Sequence, residues 1–171
     1  ERLEAARLLF VNYPNNPTGA VVPEGFFERV VELARQHQIL VVHDNAYSQT
    51  TYDGYVAPSF LATPGAKEVG VEVFSLSKGF NMTGWRCAAI LGNPEAIRTY
   101  WRLKTNVDSG LFEAVQLAGA AALRGPRKHG SIGRALAPQE ARIVDEERNA
   151  LPPGETGEIE VRGATVMREY F

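Results

Sequence analysis

Lys78 stands in the run Ser75-Leu76-Ser77-Lys78-Gly79-Phe80-Asn81-Met82-Thr83-Gly84-Trp85-Arg86, directly after a short apolar stretch. A primary amine is suited to condensing with an aldehyde and then carrying a proton. Upstream lie Asn15-Asn16-Pro17-Thr18-Gly19 and Asp44-Asn45-Ala46-Tyr47. Together these segments supply what a phosphorylated, electron-withdrawing heterocycle requires. A carboxylate, Asp44, favours protonation of a ring nitrogen by Coulomb attraction. An amide and a phenol, Asn16 and Tyr47, donate hydrogen bonds to a ring oxygen. A hydroxyl and a guanidinium, Ser75 and Arg86, hold a phosphate dianion. Each residue also has a plainer reading. Lys78 alone is a solvated lysine, Asp44-x-x-Tyr47 a helix start, and Asn16-Pro17-Thr18-Gly19 a turn. Ser75 and Ser77 alone would alternate along a strand, and Arg86 would be a surface cation. The order of the set, and its place at strand ends, favour the joint reading.

The elements that must hold these groups follow from hydropathy. Leu8-Leu9-Phe10-Val11-Asn12 and Ile39-Leu40-Val41-Val42-His43 read as buried strands, with Asp44 at the end of the second. Phe26, Phe27, Val30, Val31, Leu33 and Ala34 recur at helical spacing between Glu24 and Gln38. Residues 51–70, rich in Gly, Pro and Thr, read as an exposed connection. Val73-Phe74-Ser75-Leu76 and Arg86 to Leu91 are two further strands, and helices are expected over Pro94–Asn106 and Leu111–Leu123. Strands alternating with helices predict an α/β fold with a partial, mainly parallel sheet and flanking helices. In such sheets ligands sit beyond the carboxyl ends of the strands, where Asp44 and Lys78 fall. Beyond residue 130, Glu140–Asp145 and Gly157–Arg162 predict a small C-terminal β unit. The domain reading is residues 1–124, a linker at 125–130, and a separate segment at 131–171.

Composition narrows the function. The chain has 171 residues, 44% hydrophobic and 22% charged, with a net charge of -2. Residues 1–124 hold 11 basic and 12 acidic side chains, and the remainder 7 and 8, so neither part has the basic excess of a nucleic-acid binder. No apolar run is long enough to span a bilayer, so no membrane partner is expected. Cys87 is the single cysteine, which rules out an intrachain disulfide and favours a cytoplasmic setting. The first residue is Glu1, from which a fragment or excised domain is expected. His37 and His129 lack partners at ligand spacing, so no metal site is expected. His43, Cys87, Trp85, Phe26 and Phe27 read as packing residues. Arg124, Arg127, Lys128, His129 and Arg134 read as a solvated basic linker.

The segments Tyr13 to Gly19, Asp44 to Tyr47 and Ser75 to Arg86 resemble the class I, fold-type I aminotransferases that use pyridoxal 5'-phosphate. With Lys104-Thr105-Asn106-Val107-Asp108-Ser109-Gly110-Leu111-Phe112 they resemble most closely the branch containing LL-diaminopimelate aminotransferase. The resemblance implies transamination between an amino acid and a 2-oxo acid. It implies Lys78 as Schiff-base lysine and general acid/base, and Asp44 as partner of the pyridinium nitrogen. Asn16 and Tyr47 would hold the phenolic oxygen, and Ser75, Ser77 and Arg86 the phosphate. It also implies a homodimeric parent whose phosphate loop, ring-stacking aromatic and substrate-gripping arginine lie outside this chain, leaving the site incomplete.

Residues 130–171 resemble a different family. Gly130-Ser131-Ile132-Gly133-Arg134, Leu151-Pro152-Pro153-Gly154-Glu155-Thr156-Gly157-Glu158-Ile159 and Val161-Arg162-Gly163 are similar to a β-rich segment of the adenylate-forming acyl-CoA synthetases. That family's phosphate loop, ribose-binding aspartate and catalytic lysine are missing, so the segment is expected to be structural. Three readings stand open from sequence: an incomplete aminotransferase, a non-catalytic chimeric scaffold of two enzyme fragments, and an acyl-CoA synthetase module.

Overall fold

The computed structural model describes residues 5–125 and 140–163. The chain divides into two compact units with the boundary after Gly125. The 125–130 linker beyond Gly125, Gly130 to Arg134, and the basic residues Arg127, Lys128, His129 and Arg134 lie outside the described residues.

The first unit is built on a four-stranded sheet of β1 (Leu8–Asn12), β2 (Leu40–Asp44), β3 (Gly70–Ser75) and β4 (Ala88–Gly92), in that spatial order. The first three strands run parallel and β4 pairs antiparallel to β3. This is the mainly parallel α/β arrangement expected from sequence. Helix α1 (Phe26–His37) returns the chain from β1 to β2 and buries Phe27, Val30, Val31 and Ala34, one stripe at i, i+3, i+4, i+7 spacing. That stripe meets Val11, Val41 and Phe60 in one apolar cluster. Each fully buried Val or Phe there stabilises by about 1.5–3 kcal/mol relative to exposure.

The connection from residue 51 to 70 departs from expectation. It holds a 3₁₀ turn, Phe60–Ala62, and the short helix α2 (Ala66–Val69). Phe60 and Ala66 are fully buried, so this segment caps the core instead of skirting it. Its Gly/Pro-rich composition marks the bends, while Phe60 and Ala66 supply the burial that composition alone hides.

A second cluster forms around Leu76, Met82 and Cys87. Leu76 opens the one-turn helix α3 (Leu76–Gly79). Helix α4 (Pro94–Val107) starts from Asn93, whose side chain accepts from Glu95 N and Ala96 N at 3.0 Å. Helix α5 (Glu113–Arg124) brings Gly119 against Cys87, where an added Cβ would stand 2.9 Å from Sγ. In the second unit β5 (Glu140–Val144) and β6 (Glu158–Arg162) pair antiparallel. Glu160 there accepts from Arg142 and Arg148, which holds its pKa below the ordinary glutamate value. Among the described residues no helix is long and apolar enough to cross a membrane.

Candidate active site

Because β1, β2 and β3 are parallel, Asn12, Asp44 and Ser75 all finish at one edge of the sheet. From these strand ends the chain runs on into the segments carrying Asn16, Tyr47 and Lys78. The fold therefore gathers at one place what the sequence spreads over sixty residues.

Three of the expected residues meet directly. Asn16 Nδ2 donates to Tyr47 Oη at 3.1 Å, and Lys78 Nζ lies 5.6 Å from the centroid of the Tyr47 ring. At that range an ammonium is attracted to the ring by about 0.5–1 kcal/mol at an exposed site. Lys78 makes no ion pair among the described residues, so its amine is not committed to a carboxylate. Gly79 lets this turn close on the 46–50 segment, since a Cβ there would stand 2.6 Å from Gln49 Cβ. Lys78, Asn16 and Arg86 are exposed, whereas Asp44 and Tyr47 are half-buried.

Asp44 Oδ1 accepts from Ala46 N at 3.2 Å, and its backbone carbonyl accepts from Asn12 Nδ2 at 3.2 Å. Asn12 Oδ1 in turn accepts from Asn16 N at 2.9 Å and from Asn15 Nδ2 at 3.2 Å. Asn12 thus ties the strand of Asp44 to the turn of Asn16. Sequence reading missed it; the available signal was a polar residue closing an apolar strand at the register of Asp44.

Ser75 Oγ accepts from Ser77 N at 3.2 Å, capping α3 and leaving the Ser75 hydroxyl hydrogen as a donor. Arg86 has φ 52° and donates from Nη1 to Thr83 O at 3.0 Å, folding back on the Thr83–Trp85 turn. Among the described residues no hydrogen bond joins Arg86 to Ser75 or Ser77. The structure therefore assembles Asn16, Tyr47 and Lys78, sets the two serines within one turn, and leaves Arg86 in the next.

Beneath this edge lies a buried polar group. His43 is 0% exposed, Asn45 3% and Glu72 6%. Glu72 Oε2 lies 3.1 Å from His43 Nδ1, and Oε1 accepts from Asn45 Nδ2 at 2.9 Å. Ser59 Oγ donates to the same carboxylate at 2.9 Å. Burial opposes ionisation of Glu72, but the bonds from His43, Asn45 and Ser59 outweigh it and hold its pKa below the ordinary value. His43 is a packed residue, as expected from sequence, against the Phe27 ring at 4.9 Å between centroids. Its partner Glu72 was not foreseen, although one acid inside Gly70-Val71-Glu72-Val73-Phe74 is a legible oddity. Trp85, read as packing, is instead 49% exposed on its 3₁₀ turn. No group of three His, Cys, Asp or Glu suited to a metal occurs among the described residues.

Comparison with known proteins identifies the family. The family model of aminotransferase class I and II matches residues 1–151. The chain is similar to LL-diaminopimelate aminotransferase of Moorella thermoacetica, 53% identical over 85% of this chain and 37% of the relative. The protein of that name from Desulforudis audaxviator is 54% identical over 74% of this chain and 32% of its own length. A solved structure of a probable N-succinyldiaminopimelate aminotransferase from Thermus thermophilus is 45% identical, with a TM-score of 0.70. That likeness covers 74% of this chain and 34% of the solved one. The chain thus spans about a third of the length of the curated relatives it matches.

Proposed function

The chain belongs to the class I and II aminotransferases, and from that premise we propose that it carries the cofactor-holding part of a pyridoxal-phosphate-dependent aminotransferase. The reaction is transfer of an amino group between an amino acid and a 2-oxo acid. The names of both curated relatives support LL-diaminopimelate as the amino donor. A cytoplasmic setting is supported by the single cysteine, and a homodimer by the family resemblance.

The observation that carries this reading is the meeting of Asn16, Tyr47 and Lys78 from three separate strand ends. The donor set fits the cofactor. Asp44 offers a half-buried carboxylate for the ring nitrogen, Asn16 and Tyr47 a shared point for the phenolic oxygen, and Ser75, Ser77 and Arg86 phosphate ligands. When bound, pyridoxal phosphate supplies an aldehyde carbon and a protonated ring that withdraws electrons from a substrate carbon. Lys78 Nζ would provide the amine for covalent attachment and would serve as general base and acid for a proton on carbon. Tyr47, under that amine and bonded to Asn16, would help to orient it. Asp44, fixed through its own carbonyl by Asn12, would favour a protonated pyridine nitrogen by charge.

The test is incubation of the chain with pyridoxal phosphate, borohydride reduction and peptide mapping. The expected adduct is on Lys78 in preference to Lys67, Lys104 and Lys128, and Lys78→Ala removes it. A label spread evenly over the lysines refutes the reading.

For residues 131–171 the second reading, an acyl-CoA synthetase-like segment, rests on the sequence pattern Gly157-Glu158-Ile159 and Val161-Arg162-Gly163 alone. The aminotransferase match reaching residue 151 weighs against it. Because adenylating residues are missing from this stretch, no ATP–pyrophosphate exchange is expected, and measurable exchange would revive that reading.

A further inference from the structure

Asp44 carries the charge that the site directs at a ring nitrogen, yet among the described residues its own carboxylate has only the Ala46 amide as a hydrogen-bond partner. Its neighbours on the strand are held far more firmly. His43 and Asn45 point to the opposite face of the sheet from Asp44, as alternation along β2 requires, and both are bound there by Glu72. His43 and Glu72 are direct cross-strand partners on β2 and β3. From its other nitrogen, His43 Nε2 reaches the carbonyl of Tyr13 at 3.0 Å. Tyr13 heads the turn that carries Asn16. Ser59 adds the segment before the buried Phe60 turn.

We propose that Glu72 is a positioning residue for the cofactor site, fixing Asp44 from behind through His43 and Asn45, and Asn16 through His43 and Tyr13. This rests on the reading of the site as a pyridoxal-phosphate site. A buried ion pair is weak as a source of stability, because well-packed apolar residues of like volume do as well. Hydrogen bonds differ from apolar contacts in being directional, within about 0.3 Å and 30° of their optimum. Three segments of chain besides the strand of Glu72 converge on this carboxylate or on the histidine it holds, and two of them lead into groups assigned to the cofactor. Both nitrogens of His43 face oxygen atoms, Glu72 Oε2 and the Tyr13 carbonyl, so one ring links the carboxylate to the turn of Asn16. The lowered pKa of Glu72 agrees with an ionised carboxylate at neutral pH.

The experiment compares Glu72→Leu, Glu72→Gln and the core control Val31→Ala in the full chain. Glutamine can donate to His43 Nδ1 and still accept from Asn45 and Ser59, so the network survives in neutral form. Leucine removes it. Pyridoxal phosphate binding is read by absorbance titration, and the Asn16 side-chain amide and Ala46 backbone amide by NMR without cofactor.

The expected result is binding weakened about tenfold or more in Glu72→Leu and held within about threefold in Glu72→Gln and Val31→Ala. The Asn16 and Ala46 signals move in Glu72→Leu alone. Equal weakening by Glu72→Leu and Val31→Ala overturns the proposal, as does equal weakening by Glu72→Gln and Glu72→Leu. If Glu72→Leu does not fold, Asn45→Ala replaces it: about threefold or greater weakening supports the role, and unchanged binding overturns it. Should the wild-type chain bind no pyridoxal phosphate, the site reading fails. The NMR signals then decide on their own, and unmoved Asn16 and Ala46 amides overturn the proposal.

Discussion

Tyr47 shows how little contact the assembled site depends on. Its hydroxyl takes the one bond that Asn16 Nδ2 makes among the described residues, and its ring lies under the Lys78 ammonium. Replacing Tyr47 with Phe keeps the ring and removes the hydroxyl. Pyridoxal phosphate affinity is expected to fall about five- to tenfold, the loss of roughly one hydrogen bond worth about 1 kcal/mol, with labelling still confined to Lys78. Absorbance titration and peptide mapping read the two effects separately. Glu72 responds to acid instead. Burial opposes its charge, but the bonds from His43, Asn45 and Ser59 prevail and its folded pKa lies below 4.5. A depressed carboxyl pKa gives stability that is complete above the unfolded value and is lost as pH falls through the folded one. Denaturant unfolding should therefore show wild type losing stability below about pH 4.5 more steeply than Glu72→Gln. These two residues also mark what sequence reveals. Tyr47 was legible because its motif stands three residues from Asp44. Glu72 stood out only as an acid in an apolar run; its role was not legible, because its partners Asn45 and Ser59 lie far along the chain and meet it only once the strands pair.

The strands and helices were largely legible because each is announced by its own period. The stripe Phe27, Val30, Val31 and Ala34 and the unbroken apolar runs of β1 and β2 need no tertiary context to be read. The 51–70 connection was misread because its order comes from outside. Phe60 is buried by α1 and β3, not by any local pattern. Gly70 is the point where that packing is tightest. A Cβ there would stand 2.7 Å from Phe60 Cε1 and 2.7 Å from the carbonyl of Val41, its partner across β2 and β3. The ring can rotate, but the backbone oxygen belongs to the sheet and has no room to yield. Gly70→Ala is expected to destabilise the chain by about 1–3 kcal/mol through overpacking. Urea unfolding measures it, and a change within about 0.5 kcal/mol would mean the sheet is softer than this contact implies. The adjacent Val71→Ala, which removes volume at a buried position, is the matched control for an ordinary core loss.

At the scale of the whole chain, the groups assigned to the cofactor all belong to the first unit. So do both apolar clusters and the four strands that set the site's edge. A chain ending at Gly125 should therefore keep the Lys78 adduct, with pyridoxal phosphate affinity within about twofold of the full chain. A chain ending at Gly110 should not. It lacks α5, whose Val115, Ala118 and Ala122 pack with Leu111 on the cluster of Leu76, Met82 and Cys87. Gly119 meets that cluster at closest range, beside Cys87 Sγ and Leu76 Cδ2. Leu76 lies two residues before Lys78 and opens its helix, so uncovering it loosens the turn that aims the amine. Exposing that many apolar side chains costs several kcal/mol, on the order of 1.5 kcal/mol or more for each large one. The shorter chain is expected to lose selective labelling of Lys78 before it loses the β1–β3 core, whose residues it retains. Limited proteolysis and adduct mapping on the two truncations distinguish these losses. Equal labelling of Lys78 in both would show that α3 holds its geometry without α5.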